Sequence, residues 1–402
     1  MTKLEQLIEE LCPNGVKYYT LNSICNVYDG THQTPQYTES GIKFASVENI
    51  ADPYATEKYI SVSDYEKYKI KPQRNDLLMT RIGSIGVCTV LESDEPLAYY
   101  VSLALLRPNN EVLNSRYLKY AIESLHCQKE LRKRTLVNAV PIKINMGDIG
   151  KITLPVPPLP VQSEIVRILD NFTELTAELT AELTARKKQY EYYMESLLDF
   201  NDTIDFVKLG ELCSLITKGT TPKKYQSSGI SFVKTEAFEG TRIVPEKLSY
   251  VDEETHLGFL KRSVLQENDI LITIAGATIG KCAMVPKNIL PANTNQALAI
   301  IRLKENISHK YVLYILQSHY MKEYMHSNIK GSAQPNLNLQ QLNNFYIPLP
   351  PLEEQKRIVA ILDRFDTLCN DISEGLPAEI EGRRKQYEYY RDKLLTFREL
   401  GT

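Results

Sequence analysis

Apolar residues recur every three or four positions from Gln162 to about Phe200: Ile165, Leu169, Phe172, Leu175, Leu179, Leu183, Tyr190, Tyr193 and Leu197. A single apolar stripe with this spacing predicts one α-helix. At roughly 38 residues it would be about 57 Å long, more than a small domain is wide. The prolines at 155, 157, 158 and 160 are expected to form an extended lead-in, because proline breaks a helix interior. The pattern starts again at Ile358, Leu362, Phe365 and Leu368. There, EGLPAEIEG (374–382), with Pro377 and two glycines, predicts a kink or break. The two helices are expected to pack antiparallel as a coiled coil; the alternative is that each is a core helix of its neighbouring domain. Between them the pattern changes to short β-branched and aliphatic runs. LLMTRI, VCTVL, SLALLR, DILITIA, CAMVP and ALAIIRL predict strands, and YLKYAIESL and YVLYILQSH predict short helices. Two mixed α/β lobes, roughly 14–154 and 207–347, are the expected result.

These elements occur twice. RKKQYEYY (186–193) returns as RRKQYEYY (383–390), and PVPPLPVQSEIVRILDNFTEL (155–175) as PLPPLEEQKRIVAILDRFDTL (348–368). Within the lobes NDLLMTRIGSIGVC (75–88) resembles NDILITIAGATIGKC (268–282), and LALLR (103–107) resembles LAIIR (298–302). So long a period is not a solenoid's; it marks a duplicated pair of domains. The expected division is a first lobe over 1–154, a helical region over 155–200, a second lobe over 201–347 and a second helical region over 348–402.

Charge changes the picture only locally. The net charge is −3, which gives no global sign of a polyanionic partner. Within the first helix, however, TELTAELTAELTA (173–185) places Glu174, Glu178 and Glu182 on one face, where like charges oppose one another. A basic partner would relieve them, with Lys356, Arg357, Arg364, Arg383, Arg384 and Lys385 or another subunit as candidates; a solvated charged face is the alternative. No apolar run approaches the ~18 residues of a membrane span, and the N-terminus lacks the apolar core of a signal peptide. Seven cysteines form no CxxC pair, and Cys25/Cys213 and Cys88/Cys282 fall at equivalent repeat positions, as small core residues would.

The loops are rich in Gly, Thr, Asn, Gln and Lys: GTHQTPQY (30–37), GSIG (83–86), NAVPIKIN (138–145), TKGTTPKKY (217–225), GATIGK (276–281) and KGSAQPNLN (330–338). Such loops suit phosphates and base edges, and Lys129, Arg132, Lys133 and Arg134 precede one of them. By composition alone they are surface loops. Catalytic motifs are missing. GATIGK has three residues between its glycines, where a P-loop has four, and Cys282 stands where Ser or Thr would coordinate Mg²⁺. ADPY (51–54) lacks the second proline of an amino-methyltransferase motif, and the six histidines neither repeat nor form HExxH. A duplicated scaffold without a duplicated acid–base pair points to binding.

PLPPLEEQKRIVAILDRFDTL, RRKQYEYYRDKLL, the TAEL units and GSAQPNLN resemble the specificity subunit of a type I restriction-modification enzyme, of the subfamily often called IC. The resemblance runs the length of the chain and implies an α+β protein. Two target-recognition domains are separated by two long antiparallel conserved helices, in a pseudo-twofold repeat. It implies a cytoplasmic, non-catalytic chain that reads a bipartite asymmetric site in double-stranded DNA. Two modification (methyltransferase) subunits and the restriction subunits would be its partners, with no membrane. S-adenosylmethionine, ATP and Mg²⁺ would reside on those partners. Expected DNA-facing residues are Thr31, His32, Gln33, Arg81, Ser84, Arg134 and Lys143 in the first lobe. In the second they are Lys218, Thr220, Lys223, Lys224, Thr278, Lys281, Lys330, Ser332, Gln334 and Asn336. Methyltransferase docking is expected at Arg186, Lys187, Tyr190 and Tyr193 and at their equivalents Arg383, Arg384, Tyr387 and Tyr390. A non-DNA helical scaffold joining two proteins and a stand-alone DNA methyltransferase are the rival readings.

Overall fold

The computed structural model describes residues 2–200, 204–329, 336–371 and 373–401. It divides into two compact units, Met1–Leu179 with Ile380–Thr402, and Thr180–Glu379. Each unit therefore draws residues from both copies of the repeat.

In the first unit an antiparallel sheet runs in the order Cys25–Asp29, Leu103–Pro108, Leu77–Thr80, Cys88–Val90. Its central strands are apolar at almost every position because both faces are covered. Leu77, Met79, Ala104 and Leu106 pack with Tyr117, Leu118, Ile165 and Leu169 of the helices. The alternate residues Leu78, Leu103 and Leu105 pack with Ala45, Leu91 and Tyr99, at the second, three-stranded sheet. The second unit repeats this. Its sheet runs Cys213–Lys218, Leu298–Leu303, Ile270–Thr273, Cys282–Met284. Ile270, Ile272, Ala299 and Ile301 face Tyr311, Ile358 and Leu362, whereas Leu271, Leu298 and Ile300 face Val233 and Leu265. Each fully buried Leu or Ile contributes about 1.5–3 kcal/mol.

The polar struts are duplicated too. Arg107 grips buried Asp76 through Nε (2.9 Å) and Nη2 (2.7 Å), and Arg302 grips buried Asp269 in the same way (2.8 and 2.7 Å). One buried glutamine per copy seats the conserved helix on its lobe. The Gln162 amide accepts from the Asn114 N–H (2.8 Å) and donates to the carbonyls of Val112 and Pro157 (2.8 and 2.7 Å). Gln355 accepts from the Ser308 N–H (3.1 Å) and donates to the Pro350 carbonyl (2.9 Å).

The first conserved helix spans Leu159–Leu198, 40 residues. It starts before the expected Gln162 and includes Pro160, because a first-turn residue needs no N–H partner and tolerates proline. Along its middle, beside half-buried Gln189 and Met194, runs a row of half-buried residues: Phe172, Thr176, Leu179, Leu183, Arg186, Tyr190, Tyr193 and Leu197. These alternate in steps of four and three, the heptad spacing of a coiled-coil seam. Leu175, expected on the stripe, is instead 47% exposed, and Thr176 takes its place. The threonines bond back into the helix: Thr176 Oγ1 donates to the Phe172 carbonyl (2.8 Å) and Thr184 Oγ1 to that of Thr180 (2.9 Å).

The second conserved region forms helices Leu352–Asn370 and Leu376–Leu394. The break thus lies earlier than most of the predicted segment, overlapping it at Glu374 and Gly375, and Pro377 and Gly382 both lie inside the following helix, Pro377 in its tolerant first turn. Asp371 marks the break. Its carboxylate accepts from the Ser373 hydroxyl (2.6 Å) and N–H (2.8 Å) and pairs with Arg242 (2.6 Å), which hold it well below the usual carboxylate range.

Among the described residues no helix is long and apolar enough to cross a membrane. No three His, Cys, Asp or Glu side chains there gather as a metal site requires. All seven cysteines are buried, and burial pushes the thiols of Cys25, Cys127 and Cys213 up to about 12.

Candidate nucleic-acid interface

Sheet register gathers the polar loops at one end of each lobe. In the first, Asp29 lies opposite Ala104, Leu103 opposite Thr80, and Met79 opposite Cys88. The loops 30–33, 81–86 and 99–102 therefore leave the same edge. Backbone hydrogen bonds join them. The Thr31 N–H donates to Tyr99 (3.2 Å), that of Arg81 to Ser102 (3.0 Å) and that of Gly83 to Ile142 (2.9 Å). The last brings in segment 136–144, where Lys143 bridges to both Ile82 and Leu136. Gly30 is required at this crossing, since a Cβ there would collide with the Tyr100 carbonyl.

The second lobe has the same construction. Lys218 lies opposite Ala299, Thr273 opposite Leu298, and Ile272 opposite Cys282. The Thr220 N–H donates to the Thr294 carbonyl (2.9 Å), that of Ile274 to Ala297 (2.8 Å) and that of Leu337 to Ile274 (2.8 Å). Asn336 pairs with Ala275, and Gly219 stands where a Cβ would strike the Asn295 and Thr294 carbonyls.

The predicted residues fare unequally. Thr31, His32, Gln33, Ser84 and Lys143 meet at the first surface, and all but Thr31 are exposed. Lys218, Thr220, Thr278, Lys281 and Asn336 meet at the second, with Lys223 and Lys224 exposed further along the 219–224 loop. Lys330, Ser332 and Gln334 lie outside the described residues.

Arg81 departs from expectation. Its side chain is buried, donates to the Ile144 carbonyl (3.3 Å) and forms an ion pair with Asp29. The other Asp29 oxygen is 2.8 Å from His32 Nε2. Arg81 thus holds the loop that carries His32 and presents nothing to solvent. The second lobe has Ile274 and Lys218 in place of this pair, so the two surfaces differ in charge at both positions, net zero against one positive charge. Arg134 is likewise engaged. It pairs with Glu130 (2.6 Å), as does Lys133 (2.9 Å), and the two cations lower that carboxyl to about 2. Sequence reasoning missed Tyr100 and the Asn295–Gln296 turn, which share these edges; Gln296 bonds to the Thr221 hydroxyl. Their only signal was position, just before LALLR and LAIIR.

The docking residues divide by helix face. In the first unit Tyr390 stacks on Phe172 (5.5 Å between centroids), and Tyr387 meets Tyr120 edge-on (6.4 Å). In the second unit Tyr190 and Tyr193 stack on Phe365 (6.1 and 5.2 Å). These four rings are half-buried intramolecular contacts, not a free surface. Burial raises Tyr387 to about 12 and raises Tyr190 as well. Arg186 bonds to Gln189 (3.0 Å), and Arg383 to Gln386 (3.4 Å). Arg384 pairs with Glu381 (2.9 Å), whereas Lys187 is exposed. The tyrosines facing outward are Tyr192 (66% exposed) and Tyr389 (62%). Several of the cations proposed for the TAEL glutamates are engaged elsewhere, and one glutamate pairs within its own helix. Lys356 and Arg357 pair with Glu353 and Glu354, Lys385 with Glu381, and Glu182 with Arg186 of its own helix. Glu174 and Glu178 are exposed, as a solvated face requires.

Two like surfaces on a duplicated scaffold agree with the comparison to known sequences. Residues 13–186 and 201–382 each match the family described as type I restriction modification DNA specificity domain. The chain belongs to that family. It is 39% identical over 257 residues to the specificity subunit of the type I restriction enzyme EcoR124I/EcoR124II of Escherichia coli, covering 61% of this chain and 63% of that protein. S.HindORF215P of Haemophilus influenzae, named as a type I restriction enzyme specificity subunit, is 35% identical over 301 residues, 71% and 73% of the two chains. The fold is that of solved family members. A chain from a study of type I R-M complex assembly superposes with a TM-score of 0.61 at 17% identity, over 96% of this chain and 98% of that one. The type I S subunit of M. genitalium gives 0.56 at 13% identity, over 95% and 96%. The role the family's description gives is DNA specificity in type I restriction modification.

Proposed function

We propose that this chain is the DNA-reading subunit of a type I restriction-modification complex, with one half of a bipartite duplex site read by each loop-bearing sheet edge. The observation that carries this is the duplicated edge itself. The same three loops and the same close-packed glycine, Gly30 and Gly219, present different side chains in the two lobes. One backbone with two sets of side chains suits two different half-sites, since base edges are read by side-chain donors and acceptors. Two methyltransferase subunits dock on the helices at the outward faces around Tyr192 with Lys188, and Tyr389 with Lys385. Aromatic and basic side chains together favour such an interface. Restriction subunits join for cleavage, S-adenosylmethionine, ATP and Mg²⁺ are held by the partners, and the complex works in the cytoplasm.

The test is to express the chain with its methyltransferase partner and map methylated adenines by single-molecule sequencing. Replacing 1–154 by the corresponding lobe of another family member should change one half-site and leave the other intact. Loss of methylation with a folded, assembled complex, or a change in both half-sites, would contradict one lobe per half-site.

A further inference from the structure

The 135–144 segment of the first unit puts aliphatic side chains where the rest of the sheet edge is polar. Val140 is 100% exposed, Val137 66%, Leu136 43% and Ile142 37%. This loop is braced. The Leu136 N–H donates to the Lys143 carbonyl (2.7 Å), that of Ala139 to Leu136 (3.2 Å) and that of Gly83 to Ile142 (2.9 Å). The Thr135 hydroxyl ties its base to the Leu131 carbonyl (2.8 Å). A braced loop that keeps four aliphatic groups in water gains nothing from them in the free protein. Around them the chemistry is cationic: Lys129, Arg132 and Lys133 are exposed on the preceding helix, and Lys143 is exposed on the loop.

Cations flanking an apolar tip match a duplex, whose phosphates lie outside and whose base edges carry one methyl group. That group is the 5-methyl of thymine, displayed in the major groove. The polar groove-edge groups ask for hydrogen bonds that valine cannot make, and covering them would leave them unsatisfied. We propose that Val140, with Val137 and Ile142 beside it, contacts a thymine methyl in the half-site read by the first lobe. The inference rests on the reading of that lobe given above.

The experiment uses the full chain with its methyltransferase partner and duplexes carrying the mapped target. Each thymine of the first-lobe half-site is replaced singly by deoxyuridine, which removes only the methyl. One replacement should weaken the wild-type complex about fourfold, the value of one buried methyl near 0.8 kcal/mol. Val140→Ala should bind the thymine and uracil duplexes alike at that position, with the second half-site unaffected. Because Val140 is fully exposed, the substitution removes no packing. The proposal is overturned if every replacement is silent, or if the half-site contains no thymine. It is also overturned if V140A weakens both duplexes equally, as a wedge between bases would. Loss of methyltransferase subunit from the V140A complex at unchanged DNA affinity would assign the loop to a protein interface. A wild-type complex without sequence-specific binding would remove the broader reading along with this one, and is recognised by the failure of the unaltered protein.

Discussion

Deleting residues 180–183, one Thr-Ala-Glu-Leu unit of the long helix, should shorten the nonspecific spacer of the DNA target by one base pair. Four helical residues account for about 6 Å and, at 100° each, about 40° beyond a full turn. One base pair accounts for about 3.4 Å and roughly 35°. The rotations nearly agree, and the excess length is less than one further base pair. The seam residues then decide whether the shortened helix still packs. After the deletion Arg186, Tyr190, Tyr193 and Leu197 follow Leu179 in steps of three, four, three and four, so the aromatic contacts to Phe365 are kept. One step of three directly follows another, a local overwinding of the helix. Inserting a unit produces two consecutive steps of four, an underwinding closer to the straight-helix period, so the longer variant should lose less stability than the shorter one. The assay is genome-wide mapping of methylated adenines in cells expressing each variant with its partner. Both half-sites should be unchanged, with the spacer one base pair shorter or longer. An unchanged spacer, or altered half-sites, would refute the helix as a ruler.

Other consequences concern stability and assembly. Asp269→Ala should cost about 3–5 kcal/mol in a urea melt, because it strands the Arg302 guanidinium beside a buried site, whereas D269A/R302M should recover part of the loss. Gln355→Ala should cost about 1–3 kcal/mol by thermal or urea denaturation, the penalty for an unsatisfied Ser308 N–H and Pro350 carbonyl. Arg167 and Lys3 lower Glu164 to about 2. Its folded value lies below its unfolded one, so its stabilisation is complete above the ordinary carboxylate range and lost as pH falls from about 4.5 towards 2. Glu164→Gln should flatten the stability–pH curve in that window. Tyr192→Ala should weaken methyltransferase capture about tenfold without lowering the melting temperature, and Tyr193→Ala should lower the melting temperature. The opposite pattern would exchange the faces assigned to docking and packing.

Much of the fold was legible because period and repetition are properties of the chain itself. The 3.6-residue stripe located the long helix to within a few residues, and the paired LALLR and LAIIR runs located the central strands. What local pattern did not carry was partnership over distance. Arg81 read as a DNA contact because arginine in a glycine-rich loop commonly is one. Its acceptor Asp29 is 52 residues away, and nothing nearby in sequence announces the ion pair. The tyrosines differ in kind. The same spacing that put Tyr190 and Tyr193 on the apolar stripe already implied that they face inward, and Tyr192 outward. Leu175 and Thr176 exchanged places because a seam of strict four–three steps drifts from a 3.6-residue stripe over several turns.

The aromatic stacks bear on how such a chain could arise. Tyr390 of the second copy completes Phe172 of the first, and Tyr193 of the first completes Phe365 of the second. Each copy gives away a tyrosine and receives one, the reciprocity of an isologous dimer interface. The protein has, in this sense, the internal symmetry of a homodimer joined end to end, with copies that differ in their loops and in an unbroken first helix against a broken second one. A chain cut to 1–200 would retain both halves of the exchange, Phe172 and Tyr193, and two such chains should pair with each other. The symmetry broken by divergence would return, and the site read by that dimer should be a palindrome of the first half-site.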